Sequence, residues 1–501
     1  MLKITEDVND ILQLGYKLST EGFYLKLFDI IMDGCMKYTS ADAGDLYIES
    51  DGVFRHLLSV NKTAGTYVGR GEEVEEGSFV ISGKKDLLNY VAESREALNI
   101  PDIYTGGQEF NLLPFRKYDN DHSYHTKSVL VVPMFKPGEK VQGILVLMNC
   151  VDDDGDVIPF PDEYKDVVTS LCSQMAIALT NLNLIQDLEE LMMSFVDCLT
   201  NAIEARTDYN ANHTRNVAKY CMEMIDDLNA RHTRDEYSIF FTENDREQLY
   251  MAAMLHDIGK MITSRQVLNK STRLGGKEDA VRNKLEKIQL MLKIDCLEGR
   301  LSENKWFMDD LRISNFIAEL HELNTKKFLT DVDLRRIAEM AERSYTTPDG
   351  EVIPYLSKEE SENLSILKGT LTADERQEVQ QHVVFTDKLL GEIRFNEKYN
   401  RVRMMAARHH EYLDGSGYPN GLKAEDLDVL TRLLTIVDIF DSLTSSDRPY
   451  KGTVTLRKAL DILKNMVEEG KLDAELVRIL SEYMLQRNWS EEERSKLEID
   501  I

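Results

Sequence analysis

The chain has 501 residues, of which 42% are hydrophobic and 30% are charged, and its formal net charge is −28. This length is enough for two or three domains that each bury a core, and the composition excludes wholesale disorder. The excess of negative charge argues against non-specific binding to nucleic acid or to an anionic membrane surface.

The six cysteines are scattered along the chain without a CxxC pair. They are typical of free thiols in a reducing compartment. The longest apolar run, residues 129–135, is short and contains Pro133, and no secretory apolar segment opens the chain. We therefore expect a cytoplasmic protein.

The N-terminal third alternates helix and hairpin signals. Residues 1 to about 40 carry apolar side chains at helical spacing. Residues 44–50 and 53–60 are predicted strands joined by an Asp51-Gly52 turn, and residues 128–135 and 141–150 form a second predicted hairpin. Antiparallel strands flanked by helices indicate an α+β sandwich.

This order of elements resembles a GAF domain, so residues 1–185 are assigned to a GAF-like sensor or dimerisation domain. The resemblance implies a small-molecule ligand or a purely dimerising role. Residues 115–125 lack a clean cyclic-nucleotide signature, so no ligand is assigned. His122 and His125 lie in this polar segment, which we interpret as a solvated loop in preference to a metal site.

A long helix is predicted from Asp162 to about Arg206, where the chain has no proline or glycine. Its two ends are expected to pack on their own domains, but residues 181–195 have no domain to cover them. We therefore predict a parallel coiled coil over residues 181–200, and hence a homodimer. The predicted seam is interrupted at Glu189 and runs through Val168, Leu171, Met175, Ala178, Leu182, Ile185, Met192, Val196 and Leu199.

Two motifs dominate the rest of the chain: Met254-Leu-His-Asp-Ile-Gly-Lys260 and His409-His-Glu-Tyr-Leu-Asp-Gly-Ser-Gly-Tyr-Pro419. Adjacent His and Asp residues suit a metal pair, because a carboxylate can bridge two cations while an imidazole binds one of them. Two such ions can together activate a water and stabilise an attacked phosphorus.

Residues 195 to about 470 resemble the HD-GYP family of bacterial phosphodiesterases, which open cyclic di-GMP. The matching segments are residues 202–206 with His213, 256–260, 371–372 with His382, 409–411 with 417–419, and 437–444 with 447–451. The resemblance implies an all-α HD-type domain, here residues 196–501, with two divalent transition metal ions, iron or manganese. The implied ligands are His213, His256, Asp257, His382, His409, His410 and Asp438.

The same resemblance implies a reaction and a substrate site. The implied catalytic residues are Asp257, which would bridge the metals, and Lys260, which would contact the scissile phosphate. Hydrolysis of cyclic di-GMP would yield linear pGpG, GMP or both. A diguanylate cyclase is an implied protein partner at the Gly-Tyr-Pro motif. The residues expected to bind substrate are Lys260, Gly417, Tyr418, Pro419, Arg448 and Lys451.

The chain departs from the family pattern in three places, of which Asn216, where the family usually has Arg, touches no predicted ligand. Tyr209 stands where members with a third metal have Glu, so two metals are expected. The segment between His256 and His382 is much longer than usual, and its apolar side chains at helical spacing predict a helical insertion at about residues 275–362. This insertion is interpreted either as a lid or partner-docking module, or as a buttress.

Two other functions stay open. One is a catalytically weak signalling scaffold that binds a cyclic dinucleotide or a diguanylate cyclase, although the complete ligand set argues against it. The other is a hydrolase of a different cyclic dinucleotide, such as cyclic GMP-AMP.

Overall fold

The computed structural model describes residues 24–50, 53–68, 87–107, 109–122, 124–206, 212–445 and 454–487, together with positions 489 and 494. The chain divides into two compact units, Met1–Met192 and Met193–Ile501. Several features singled out in the sequence lie outside the described residues: residues 1–23 of the predicted N-terminal helix, the Asp51-Gly52 turn, Tyr209, Arg448 and Lys451.

The first unit is an antiparallel sheet with helices on both faces, as the sequence predicts. Within the described residues the strand order is β3-β2-β1-β6-β5-β4, with β7 beside β6. The elements are α1 (Tyr24–Thr39), β1 (Ala41–Ser50), β2 (Val53–Asn61), β3 (Thr66–Val68), α2 (Leu87–Ser94), β4 (Leu98–Ile100), α3 (Leu113–His122), β5 (Val129–Met134), β6 (Gly143–Val151), β7 (Val157–Ile158) and α4 (Asp162–Glu204).

The central strand β6 is buried on both faces. Leu145 and Leu147 join a core with α1 and α4, whereas Ile144 and Val146 join a second core with α2 and α3. This division follows from the two-residue period of a strand. Both predicted hairpins are present, since β1 pairs antiparallel with β2 and β5 pairs antiparallel with β6.

One local prediction is wrong. Most of the segment interpreted as a polar loop forms α3 instead. The reason is that Leu112 and Phe115 are buried in the second core, so the segment packs on the sheet although most of its other side chains are polar. His125 lies beyond the helix, where its ring stacks on Tyr104 with centroids 4.8 Å apart.

Helix α4 is 43 residues long. By length and composition alone, it contains an 18-residue stretch that is apolar enough to cross a membrane. Of that stretch, 33% is buried inside the protein. Val168, Leu171 and Met175 of this helix belong to the core of the first unit. Packing on the sheet therefore accounts for much of the apolar character of its N-terminal half.

The second unit is mostly helical. Short 3-10 turns at Ile258–Ile262, Glu397–Tyr399 and Ala424–Asp426 connect its helices. The other elements are α5 (His213–Thr233), α6 (Glu243–Leu255), α7 (Arg265–Leu268), α8 (Glu278–Leu297), α9 (Glu303–Thr325), α10 (Asp331–Ala341), β8 (Ser344–Thr346), β9 (Val352–Pro354), α11 (Lys358–Leu364), α12 (Ala373–Gly391), α13 (Val402–Ala407), α14 (Val429–Thr444), α15 (Leu456–Glu468) and α16 (Ala474–Gln486).

The insertion is helical, as expected, and has a core of its own. Leu285 of α8, Phe316 of α9 and Ile337 of α10 belong to one buried cluster. The sequence reading did not include the β8–β9 hairpin, whose turn is Thr347-Pro-Asp-Gly350. Gly350 has φ +88° and donates its N–H to the Thr347 carbonyl at 2.9 Å, which is the turn geometry that glycine favours.

A buried arginine fastens the two ends of the insertion together. The side chain of Arg273 is 1% exposed. Its Nε donates to the Ile366 carbonyl at 2.8 Å, and its Nη1 donates to the Leu323 carbonyl at 3.0 Å. The contact with Ile366 joins the two ends of the insertion, and the contact with Leu323 ties them to helix α9 within it.

Candidate metal centre

The second unit brings together all seven side chains that the sequence singled out as ligands. Three groups of them place their ligand atoms within 4.8 Å of one another. His213 begins α5, His256 and Asp257 follow α6, His382 lies within α12, His409 and His410 follow α13, and Asp438 lies within α14.

Gly259 allows the turn after α6 to approach α12. A Cβ atom at this position would lie 1.8 Å from the His382 carbonyl oxygen. Thr386 completes the contact, because its hydroxyl accepts from the Gly259 N–H at 3.0 Å and donates to the His256 carbonyl at 3.0 Å. This close packing brings His382 to the two ligands that follow α6.

The carboxylate of Asp257 lies between two sets of imidazoles. Its Oδ2 is 3.3 Å from His256 Nε2 and 3.8 Å from His213 Nε2. Its Oδ1 is 3.4 Å from His382 Nε2. Asp438 lies beside the first set, with its Oδ1 3.1 Å from His213 Nε2. A carboxylate with its two oxygens directed at different imidazoles is suited to bridging two cations.

Three imidazoles are oriented in the same way. The Nδ1 atoms of His256, His382 and His409 lie 2.6, 2.6 and 2.7 Å from the carbonyl oxygens of the residues three positions earlier. A carbonyl can only accept, so each Nδ1 carries the proton and each Nε2 has a free lone pair. Among the described residues these three buried Nε2 atoms have no hydrogen-bond partner. Orphaned buried nitrogens of this kind fit metal ligation.

His213 is held by a carboxylate. Its Nδ1 lies 2.6 Å from Asp441 Oδ2, and Ser445 donates its hydroxyl to the same oxygen at 3.0 Å. Asp441 is 2% exposed. A carboxylate behind a ligating histidine fixes the ring and makes the other nitrogen more basic.

The electrostatics of the site favour cation binding at neutral pH. Burial and neighbouring imidazoles hold the pKa of His409 well below its usual value, and burial lowers the pKa of His410 to about 3. Burial opposes ionisation of Asp257, but Lys260 and His256 outweigh it and hold its pKa well below the usual range. Burial likewise opposes ionisation of Asp438, but its hydrogen bond to His213 outweighs burial and holds its pKa well below the usual range. The site therefore combines the neutral imidazoles of His409 and His410 with the ionised carboxylates of Asp257 and Asp438.

His213 is the exception among the imidazoles. Burial lowers its pKa, but hydrogen bonds to Asp438 and Asp441 outweigh burial and raise that pKa to about 10. A bound cation would have to displace the proton between His213 and Asp438.

Lys260 and the Gly-Tyr-Pro loop border the cluster. Lys260 Nζ is 2.5 Å from Asp257 Oδ2. The Tyr418 ring lies beside the His410 ring, with the ring centroids 4.8 Å apart. The backbone N–H of Tyr418 donates to the His410 carbonyl at 3.1 Å. Gly417 is required here, since a Cβ would lie 2.4 Å from the backbone nitrogen of Tyr412.

Glu411 fixes this loop from within. Its carboxylate is 1% exposed and accepts from the N–H groups of Asn420 and Leu422 at 2.7 and 2.9 Å. These bonds hold the chain on both sides of Gly421. Pro419 lies next to this anchor, at the edge of a surface pocket of about 460 Å³ that also includes Arg403 and Arg408. None of the seven clustered side chains lines that pocket.

Sequence reasoning missed the supporting residues. Asp441 and Glu411 both lie in motifs that were recognised, but neither was given a role. The signal for Asp441 is its position one helical turn after Asp438. Of the expected substrate-binding residues, Lys260 and the 417–419 loop lie at the cluster, and Arg448 and Lys451 fall outside the described residues.

Comparison with protein families matches three segments of the chain. A GAF domain model matches residues 24–179, and two HD domain models match residues 210–349 and 359–476. The first match covers the sheet, and the other two cover the helices that carry the seven side chains.

Among curated proteins, the 3'3'-cGAMP-specific phosphodiesterase 3 of Vibrio cholerae is 38% identical over 96 residues, which are 19% of this chain and 20% of that protein. A cyclic di-GMP phosphodiesterase response regulator of Xanthomonas campestris is 38% identical over 104 residues, 21% of this chain and 26% of that protein. The alignments thus span about a fifth to a quarter of these relatives.

A solved GAF domain from a Coxiella burnetii phosphoenolpyruvate-protein phosphotransferase is 15% identical, covers 36% of this chain and 96% of its own, and superimposes with a TM-score of 0.27. The family matches, together with the sheet and the helical unit, establish the domain content. The chain is a GAF domain followed by an HD domain.

Proposed function

We propose that this protein is a metal-dependent phosphodiesterase that hydrolyses a cyclic dinucleotide, cyclic di-GMP in the first place, under control of its GAF domain. One observation carries the proposal: three buried imidazole Nε2 atoms without partners among the described residues surround two ionised carboxylates. Such a donor set fits first-row transition metals such as iron or manganese. The domain content further suggests a signalling protein of the cytoplasm.

The seven side chains would hold two divalent ions, with Asp257 between them. Bound divalent metals supply Lewis acidity and lower the pKa of water. The backbone carbonyls behind His256, His382 and His409 keep these rings in one tautomer. The site is thereby preorganised and needs little rearrangement when charge develops at the phosphate.

Lys260 would bind the scissile phosphate. Its Nζ now lies on Asp257, and its side chain is 19% exposed, so it can reach a ligand at the rim of the site. A cation there offsets the negative charge that grows on the phosphoryl oxygens. Burial raises the pKa of Tyr418, so its hydroxyl stays protonated and can donate a hydrogen bond to the substrate.

Two substrate assignments compete. The intact Gly417-Tyr418-Pro419 motif favours cyclic di-GMP through the HD-GYP resemblance, and the Xanthomonas relative is named for that substrate. A second relative specific for 3'3'-cGAMP, also from Vibrio cholerae, is 40% identical over 75 residues, 15% of this chain and 17% of that protein. This relative and the first Vibrio protein favour cyclic GMP-AMP as the second candidate.

The deciding experiment incubates metal-loaded full-length protein with cyclic di-GMP, 3'3'-cyclic GMP-AMP and cyclic di-AMP. We expect linear dinucleotides or mononucleotides from cyclic di-GMP, and no turnover by the Asp257→Ala variant, which also loses bound metal. Full activity of that variant would refute the metal mechanism. Preferential turnover of cyclic GMP-AMP would show that this dinucleotide, and not cyclic di-GMP, is the substrate, and the protein would still be a phosphodiesterase.

Lys260→Met separates binding of the phosphate from binding of the metal. We expect this variant to keep its metal content and to lose about 100-fold in kcat, the usual effect of removing one charge-stabilising donor. Arg265→Met, which removes a cation five residues further along the chain, is the matched control and should leave kcat unchanged. If the Lys260→Met variant kept the wild-type kcat, Lys260 would have no role in catalysis.

A further inference from the structure

The short 3-10 turn that carries Lys260, Ile258–Ile262, is buried only in its first half. Ile258 and Gly259 are buried, whereas Met261 is 40% exposed and Ile262 is 41% exposed. Burial of apolar groups therefore fixes the start of the turn and gives its end much less support. Lys260 lies between the two halves, so its position depends on what holds the C-terminal end of the turn.

Arg206 holds that end. It lies two residues beyond the end of α4, and its side chain reaches the turn. Its Nη1 donates to the Met261 carbonyl, and its Nη2 donates to the Thr263 carbonyl at 3.2 Å. Carbonyls at the C-terminal end of a helical turn lack partners within the turn, and a cationic side chain can satisfy them and interact favourably with their dipoles. Arg206 therefore caps the turn that carries Lys260.

The backbone that presents Arg206 is itself anchored. The N–H of Arg206 donates to the Ile203 carbonyl at 3.0 Å, and its carbonyl accepts from the side chain of Asn269 at 3.4 Å. Ile203 is buried. The guanidinium is thus directed at the two carbonyls from a backbone with contacts on both sides of the peptide.

The other side of the same segment is held independently of Arg206. The hydroxyl of Thr200, which is buried, donates to the Met254 carbonyl at 3.0 Å, two residues before His256. The hydroxyl of Thr386 donates to the His256 carbonyl at 3.0 Å. Because neither contact involves Arg206, we expect the metal-ligating side of the segment to stay in place when Arg206 is changed.

We propose that Arg206 is a positioning residue for the phosphodiesterase reaction, which places Lys260 at the scissile phosphate by capping the turn that carries it. This inference rests on the proposed function, which assigns the phosphate to Lys260. It also gives a role to the 202–206 segment, which the family resemblance singled out without one. The planar guanidinium is suited to this role because it reaches two carbonyls at once, whereas an ammonium is a single point charge.

Variants of Arg206 in the full-length, metal-loaded protein test the proposal. Arg206→Met keeps an apolar stem and removes the donors. We expect its metal content and KM to stay near those of the wild type and its kcat to fall about 10- to 100-fold, because a misplacement of about 1 Å can cost that much. Arg206→Lys keeps the cation and loses the planar fork, so its kcat should lie between the two.

The matched control is Arg234→Met. Arg234 is an exposed arginine that pairs with Glu236 at 3.3 Å, and its loss should leave kcat unchanged. Wild-type kcat in Arg206→Met would overturn the proposal. Loss of bound metal in both Arg206 variants would also overturn it, since Arg206 would then support the metal ligands and not Lys260.

A double variant separates positioning of Lys260 from a general structural role. If Arg206 acts through Lys260, adding Arg206→Met to Lys260→Met should leave kcat within about 2-fold of that of Lys260→Met alone, because the group that Arg206 positions is already absent. A further loss as large as that of Arg206→Met in the wild-type background would show that the two residues act independently, and would overturn the proposal.

Hydrogen exchange tests the cap without any substrate. The Thr263 N–H donates to the Lys260 carbonyl at 3.2 Å, and the Lys260 N–H donates to the Asp257 carbonyl at 2.9 Å. At equal metal content, we expect both amides to exchange faster in Arg206→Met than in the wild type or in Arg234→Met. If the wild type showed no turnover, the proposed function would fail while faster exchange still supported the cap. Unchanged exchange in Arg206→Met would overturn the cap whether or not the protein hydrolyses a cyclic dinucleotide.

Discussion

At the scale of single residues, the orientation of each imidazole determines whether the cluster can bind a cation. Asp441 is not one of the seven clustered side chains, but its carboxylate lies 2.6 Å from His213 Nδ1 and orients that ring. Asp441→Asn keeps the shape of the side chain and removes its charge. We expect metal affinity to fall about 10- to 100-fold, the usual effect of losing such a partner, measured by competition with a metal-binding dye.

The matched control for this variant is Ser445→Ala. Ser445 donates to the same oxygen of Asp441, so its removal leaves the carboxylate and its bond to His213 in place. We expect its metal affinity to stay near that of the wild type. If Asp441→Asn bound metal as tightly as the wild type, the carboxylate would be only a packing element.

The seven clustered residues could be predicted because each lies in a short motif with recognisable spacing. Helical spacing places Asp441 beside Asp438, but the roles of Asp441 and Glu411 could not be predicted, because they depend on partners that are remote in sequence or on backbone N–H groups. Asp441 contacts His213, 228 positions away. Glu411 accepts from two backbone N–H groups, and almost any residue type can supply such a donor, so the sequence does not reveal the contact.

At the scale of elements, the contact between the turn after α6 and helix α12 assembles the cluster. Gly259→Ala would place a methyl group 1.8 Å from the His382 carbonyl, so the two elements must separate. We expect a loss of about 1–3 kcal/mol or more in the free energy of unfolding, together with loss of bound metal. Urea unfolding and metal analysis of the same sample measure both effects.

Gly391→Ala in the same helix is the control. The added Cβ would meet only the flexible end of the Arg403 side chain, at 2.9 Å, and that side chain can move. We expect unchanged metal content and stability within about 1 kcal/mol of the wild type. If both alanine variants behaved alike, the close approach at Gly259 would not position the ligands.

The elements that sequence reasoning missed are those decided by tertiary contacts. Helix α3 appeared as a polar loop because its buried apolar contacts, through Phe115 and the preceding Leu112, are few. The β8–β9 hairpin is only three residues per strand, so its alternation is too short to recognise, although its Pro-Asp-Gly turn was a usable signal. In contrast, the Ser357-x-x-Glu360 and Thr372-x-x-Glu375 patterns are typical of helix starts, and both form capping boxes in the structure.

At the scale of the whole molecule, the chain has two separate compact units and the candidate metal centre lies in one of them. Binding energy should therefore stabilise the units unequally. The apolar cores of the first unit contain no part of the cluster, whereas helices α5, α12 and α14 of the second unit are joined through it. The effect of removing metal is thus expected to be regional.

Chelation followed by hydrogen exchange measures this effect in the intact chain. A ligand present at about a thousand times its dissociation constant stabilises the folded state by roughly 4 kcal/mol. After a chelator strips the metal, peptides from α14, which carries Asp438, should exchange faster, because two buried carboxylates lose the cations that balance their charge and the imidazoles lose the metal that they ligate. Peptides from β5 and β6 in the first unit are the internal control and should exchange at an unchanged rate. Equal exchange of α14 with and without metal would contradict a structural contribution from the site, and faster exchange in both units would show that the chelator acts on the whole chain.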